Sequence, residues 1–369
     1  MIPTMGIRRA LGRLAGLAAM SLASQVAAGL SWARTDLPAG LGPRAVAVAD
    51  LFRRGKLDIV VADSGSDEIR IYRGRGDGTF APGRIVAAGL GPSSVAVADL
   101  DGDGLLDIAV ANAGLGSITI LWQRKEGTFE RQSFQVGRSA TWLAIADLDG
   151  DGRPDMAVAD PGIGGVDLLL SRGGRRFAPV IHLPVAPGVY YVVTGDFGRR
   201  GRTDIIVSEP TLDAVQILHG AGGGRFVQGR SYPAGLAPTA LLAADVDGDG
   251  RLDVVAANAG GNTVSILRGD GHGGFLPPQA VICGLMPAGI AAARFAGGRP
   301  LDLAVTNAAM GGLSLLFARP DGRFSQPRGQ PVGLVPIGVA AADLDGDGRP
   351  DLVVANRGSN SVTVLLNRP

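Results

Sequence analysis

The string DLDGDGRPD occupies residues 147–155 and returns unchanged at 343–351, and DLDGDGLLD at 99–107 and DVDGDGRLD at 245–253 are close variants. Aligned on its first residue, the chain places Asp50, Asp99, Asp147, Asp196, Asp245, Arg294 and Asp343 in one register, with a step of 48 or 49 residues throughout. Seven such units account for nearly everything after residue 33. A tandem repeat of this period is a row of supersecondary units, none of which buries both of its faces without its neighbours.

Three further features keep the register. A G-x-x-P turn precedes the string at residues 40–43, 89–92, 235–238, 284–287 and 333–336. Thirteen residues after each start stand Asp63, Asn112, Asp160, Glu209, Asn258, Asn307 and Asn356. A phenylalanine recurs at Phe80, Phe129, Phe177, Phe226, Phe275 and Phe324.

Within the second unit, SVAVAD, DIAVAN, SITILW and the run between GTF and GRSA read as four short strands separated by Gly, Pro, Asn and Asp. The acids agree: 30 of the 34 are Asp, which suits turns, and only four are Glu, which suits helices. Radial repetition of four-stranded antiparallel units predicts an all-β, seven-bladed β-propeller over residues 34–369. The chain stops at VTVLLNRP, the third strand of the seventh unit, and RTDLPAGLGP aligns with the fourth-strand region RIVAAGLGP of the first. Residues of about 34–40 are therefore expected to supply the missing strand and close the ring, leaving no open edge.

The acidic string reads D-x-D-G-D-G-x-x-D. Carboxylates this dense repel one another unless a cation sits among them. A hard cation with oxygen ligands meets that need, and Ca²⁺ tolerates crowded protein coordination better than Mg²⁺ does. An EF-hand is excluded, because its twelfth position needs Glu and here it is Val110, Val158, Ala256 or Val354, inside an expected strand.

With the acidic loops, the G-x-F turns and the strings VANAGGNTVSIL and VANRGSNSVTVLL, the units resemble FG-GAP or VCBS-type repeats, whose relatives build the seven-bladed propeller of integrin α subunits. The resemblance covers about residues 34–367. It implies about four structural calcium ions. One set of ligands is Asp99, Asp101, Asp103 and Asp107; the second is Asp147, Asp149, Asp151 and Asp155. The third is Asp245, Asp247, Asp249 and Asp253, and the fourth is Asp343, Asp345, Asp347 and Asp351. It also implies that these loops lie on one face of the disc, with ligands bound on the other.

Three units depart from the pattern: DLFRRGKLD, DFGRRGRTD and RFAGGRPLD. Arg54 and Arg200 replace the fifth-position Asp and Arg294 the first. These arginines either stand in for the ion by pairing with Asp50 and Asp58, with Asp196 and Asp204, or with Asp302, or are solvated side chains of loops that have simply lost their acids. On the opposite face, units three and four lose the G-L-x-P turn and carry Trp142 and Tyr191 where other units have small residues, and Tyr190 adds a third aromatic. That aromatic cluster is either a contact patch for a ligand or a plug in the mouth of the central channel.

The first 33 residues hold Arg8, Arg9 and Arg13, no acid and an apolar run, LAGLAAMSLASQVAAGL, which reads as an export signal cleaved near residue 28 or 33. The remainder carries 32 basic and 34 acidic residues, which gives no basis for nucleic-acid binding. Cys283 is the single cysteine, so no intramolecular disulfide forms. No G-x-S-x-G or H-E-x-x-H string is present. The expectation is a monomeric, exported, periplasmic or extracellular calcium-binding protein without a membrane span in its mature form. It is expected to be a non-catalytic binding, adhesion or scaffold module with a protein or glycan partner. The alternative is a polysaccharide-binding lectin, or a polysaccharide lyase or hydrolase, on the same scaffold.

Overall fold

The computed structural model describes residues 30–298 and 300–368. Of the expected leader, residues 1–33, the part up to residue 29 lies outside the described residues, and residues 31–33 belong to the strand Ser31–Pro38.

Seven sheets of four antiparallel strands follow one another around a ring. Blade 1 consists of Pro43–Ala49, Asp58–Asp63, Glu68–Tyr72 and Arg84–Ala87, from the innermost strand outward. The second unit gives Pro92–Ala98, Asp107–Asn112, Ser117–Gln123 and Phe129–Gln135, matching the strands read from its sequence. Proline opens the innermost strand in five blades, where its missing N–H costs no ladder bond.

The second strand of every blade is buried along its whole length, as in Asp107–Asn112. Its side chains face a neighbouring blade on each side, so the sequence there is a continuous apolar run and not an alternation. The core accordingly lies between blades. Ile118, Ile120 and Trp122 of blade 2 pack with Leu143, Met156 and Val158 of blade 3, and comparable clusters fill the other junctions. The second residue of each repeat loop is an anchor in these junctions: Leu51, Leu100, Leu148, Phe197, Val246, Phe295 and Leu344 are all buried.

Blade 7 is completed by the N-terminal strand. Ser31–Pro38 pairs antiparallel with Ser361–Arg368, from Ser31 opposite Arg368 to Pro38 opposite Ser361. Closure occurs as expected, but the strand begins at Ser31 and not near residue 34. The reason is its partner, whose eight residues extend through LLNR and pair with an equally long strand. Trp32 then packs edge-on against Phe295 at 5.9 Å, and the Leu30 carbonyl accepts a hydrogen bond from Arg328.

Candidate metal centre and binding face

Each acidic loop joins the first and second strands of its blade. Its first Asp organises the backbone: in blade 2 the Asp99 carboxylate accepts from Gly102 N at 2.8 Å and Gly104 N at 2.9 Å. Gly104 has φ of 88°, which side chains disfavour, and this turn directs the remaining carboxylates inward. Ligand oxygens of Asp99, Asp101 and Asp107 lie within 4.8 Å of one another, as do those of Asp147, Asp149 and Asp155. The same spacing holds for Asp245, Asp247 and Asp249 and for Asp343, Asp345 and Asp347. Three of the four expected ligands thus converge in each intact loop, and the three loops without the full acidic string hold no such group among the described residues.

The ninth-position Asp is buried and has a second task. Asp107 accepts from Leu100 N at 3.0 Å and from Gln123 N at 2.8 Å, tying the loop to the third strand. Asp155, Asp253 and Asp351 repeat this clamp. Burial lifts Asp107 to about 7, and the charges of Asp101 and Asp103 push the same way. Burial likewise lifts Asp155, Asp253 and Asp351 to about 6. A buried carboxylate that resists ionisation beside a cluster of other carboxylate oxygens belongs to a donor set suited to a hard divalent cation.

In two of the departing loops, arginine occupies the vacated space. Arg54 bonds Asp58 and donates to the Gly74 carbonyl, while its own amide donates to Asp50 Oδ1 at 2.7 Å. Arg200 repeats this, with Asp204 Oδ1 at 2.6 Å and its amide on Asp196 Oδ1 at 2.8 Å. The third pairing is not formed. Arg294 points to solvent, and the buried Asp302 is held by the amides of Ala296 and Ala318, so the carboxylate needs no guanidinium. Besides Arg153 and Arg349, which pair with Asp151 and Asp347 of their own loops, arginines from farther along the chain reach the intact loops. Arg175 of blade 3 donates to Asp101 at 2.6 Å and Glu130 at 2.9 Å, and Arg368 to Asp345 at 2.7 Å. Arg175 is 74 residues from Asp101, too far for any local pattern to reveal.

On the opposite face, the 4→1 and 2→3 connections of a blade bond to each other. Gly114 N donates to the Leu90 carbonyl and Gly89 N to Asn112 Oδ1, each at 3.0 Å. A Cβ on Gly89 would lie 2.5 Å from Asn112 Cγ, which accounts for the glycine of the G-x-x-P turn. The residue thirteen positions after the loop start is therefore a clasp for this turn in four blades, through Asp63, Asn112, Asp160 and Asn356.

Trp142 and Tyr191 come together at the mouth of the central channel, stacked with ring centroids 4.0 Å apart. They face Val46, Gly289 and Gly338 around a cavity of about 60 Å³. Burial pushes the Tyr191 phenol well above its ordinary range. Tyr190 points elsewhere: its hydroxyl bonds Arg44 from blade 1, whose guanidinium also lies over the ring. Cys283 is buried, with its thiol pushed up to about 12, which suits an inert side chain. No helix among the described residues is long and apolar enough to cross a membrane.

The profile of the FG-GAP-like repeat matches six segments, the first five overlapping: 50–110, 99–158, 147–207, 199–256, 245–297 and 301–368. No curated protein matches the chain. Among solved structures, BBS1N in complex with ARL6DN is similar at a TM-score of 0.64 and 15% identity, over 91% of this chain and 97% of that one. A lectin of Agrocybe aegerita that recognises non-reducing terminal N-acetylglucosamine is similar at a TM-score of 0.52 and 20% identity, over 81% and 80%. A functionally unknown protein of Desulfotomaculum acetoxidans is similar at 0.60 and 12%, over 84% and 94%. At these identities the likeness is one of fold.

Proposed function

Since the chain belongs to the FG-GAP-like repeat family, we propose that it is a calcium-stabilised, non-catalytic binding or scaffold propeller that acts outside the cytoplasm. The observation that carries this reading is the convergence of three carboxylates in each of four loops at equivalent places of four blades. Bound there, Ca²⁺ supplies charge neutralisation and ties the loop to the blade. Asp99, Asp101, Asp103 and Asp107 would hold one ion, with the equivalent residues of blades 3, 5 and 7 holding three more.

Binding is assigned to the face opposite these loops. A glycan-binding lectin and a protein-bound domain are among the proteins of similar fold, so both partner classes fit the scaffold. Geometry favours a protein surface. Trp142 and Tyr191 each commit one ring face to the other, and the cavity beside them is too small for a sugar. The absence of a catalytic motif supports a non-enzymatic role, and the arginine-bearing apolar leader supports export. Calcium titration calorimetry on the chelator-stripped protein tests the metal assignment: about four ions are expected, and no heat of binding would remove it. A glycan array and a pull-down on the purified protein, each repeated with Trp142→Ala, test the partner class.

A further inference from the structure

The exposed large apolar side chains are not scattered. Leu41, Leu90, Leu236, Leu285 and Leu334 each sit at the tip of a 4→1 connection and are between 48% and 64% exposed. Leu115, Ile163, Leu212 and Met310 hold one equivalent tip of the 2→3 connections and are also exposed. Antiparallel blades put both kinds of connection at the same end of the ring, so these residues form a circle on the face opposite the acidic loops.

The backbone favours this display. The carbonyls of Leu41, Leu90, Leu236, Leu285 and Leu334 are tied inward by amides of the 2→3 turn. The next residue takes a left-handed conformation. It is glycine in blades 1 and 2, but Ala237, Met286 and Val335 in blades 5 to 7, with φ of 49°, 52° and 49°. A β-branched residue in that region is strained, and strain held at an exposed turn is a mark of function. Its result here is a denser apolar patch, since exposed Met286 and Val335 stand beside Leu285 and Leu334.

Little charge interrupts the circle. Asp67 and Asp213 are engaged by the amides of Gly91 and Ala237, and Asp160 by those of Arg138 and Ser139. Arg138 and Arg357 remain outward, in blades 3 and 7 on opposite sides of the ring. The Arg44–Tyr190 contact crosses the channel mouth above the Trp142–Tyr191 stack, so the circle has a closed centre.

We infer that this face is a self-association surface, closed by a second copy of the chain face to face about a two-fold axis. This rests on the binding face assigned above and departs from the monomer expected from sequence. A two-fold interface needs one surface complementary to itself, which an apolar, nearly uncharged disc provides and a charged one does not. A stable interface takes roughly 20–30 residues and about 800 Å² from each partner. Two connections from each of seven blades, at about two outward residues apiece, supply a comparable number of residues. An apolar patch this extended is otherwise rare on a protein that stays alone in water.

Sedimentation equilibrium of the purified protein tests the inference. Twice the chain mass is expected at micromolar concentration. The triple variant Leu236→Ser, Leu285→Ser, Leu334→Ser should weaken the dimer by about tenfold or more with an unchanged circular dichroism spectrum. Ile85→Ser with Val227→Ser removes exposed apolar side chains from the outer strands and should leave the dimer intact. Should the triple variant misfold, Leu285→Gln alone gives the same comparison. A monomer at every concentration, or a dimer indifferent to the face variants, overturns the inference. A glycan or heterologous protein that still binds this face would then leave the broader reading standing.

Discussion

The Arg200 guanidinium donates to Asp204 Oδ1 at 2.6 Å from the loop position where the intact blades place their third aspartate, and Asp204 is fully buried. The cation is therefore part of the chain in this blade. Removing it by Arg200→Ala leaves Asp204 with one backbone donor, Gly220, and a second oxygen that already lacks a partner. A loss of about 2 kcal/mol is expected from a buried carboxylate stripped of its partner, discounted because the arginine is partly exposed. Arg54→Ala should act alike, whereas Arg294→Ala, with no such pair, should stay within about 0.5 kcal/mol. Urea denaturation of the three variants checks the contrast, and equal effects would break the substitute-cation reading.

Calcium dependence should divide the same way. With chelator, the transition temperature should fall, and excess Ca²⁺ should restore it by an amount that grows with the logarithm of its concentration. Asp99→Ala and Asp245→Ala should each lower the calorimetric stoichiometry by one ion. Hydrogen exchange should show loosening at the loops of blades 2, 3, 5 and 7 after chelation, with the loops of blades 1 and 4 unchanged.

Acid should stabilise one part of the fold. Burial lifts Asp63 to about 6, and it lifts Asp167 to about 6 with the charge of Asp160 adding to the effect. An unfolded chain has these groups near their ordinary value of about 3.9. Between those values the folded protein holds more protons, so this contribution is complete below about pH 4 and is lost as pH rises through 6. At saturating Ca²⁺, stability should decline from pH 5 to 7.5, by at most on the order of 2 kcal/mol per group. Asp167→Asn should remove its share of the slope, while a flat profile in the parent protein would contradict the assignment.

The ring, its strand order and its closure were legible because each depends on periodicity, and a repeat writes the same local pattern seven times. The acidic loops were legible for the same reason. What escaped depends on contacts between distant units. That Arg294 would leave Asp302 to backbone amides is invisible in RFAGGRPLD, which differs from its neighbours by several residues at once. The Arg175–Asp101 bridge joins different blades. The G-L-x-P turn was seen, but the outward direction of its leucine follows from a carbonyl held by the neighbouring turn.

Trp142 and Tyr191 offer a sharp test of plug against ligand contact. Trp142 packs into the clusters of two blade junctions and stacks on Tyr191. Trp142→Ala should cost about 2–4 kcal/mol through the space it opens, somewhat below a fully buried tryptophan. Tyr191→Phe keeps the stack and should fall within about 0.5 kcal/mol. Loss of partner binding by Trp142→Ala at unchanged stability would instead mark it as a contact residue.

The N-terminal strand bears on where the proposed export leader would be cut. Two positions suit cleavage by residue type, after Ala28 and after Ala33. The second would remove Ser31, Trp32 and Ala33, which pair with Arg368, Asn367 and Leu366, and with them the Trp32–Phe295 contact. Ser361–Arg368 of blade 7 would then be exposed over three of its eight ladder pairs, an invitation to wrong pairing. Cleavage after Ala28 keeps the whole strand. Mass spectrometry of the protein recovered after export should therefore find an N-terminus at residue 29. A chain begun at residue 34 should melt several degrees lower than one begun at 29, because closure loses three ladder pairs and a buried aromatic contact. An exported form starting at Arg34 with undiminished stability would rule out this account of the closure.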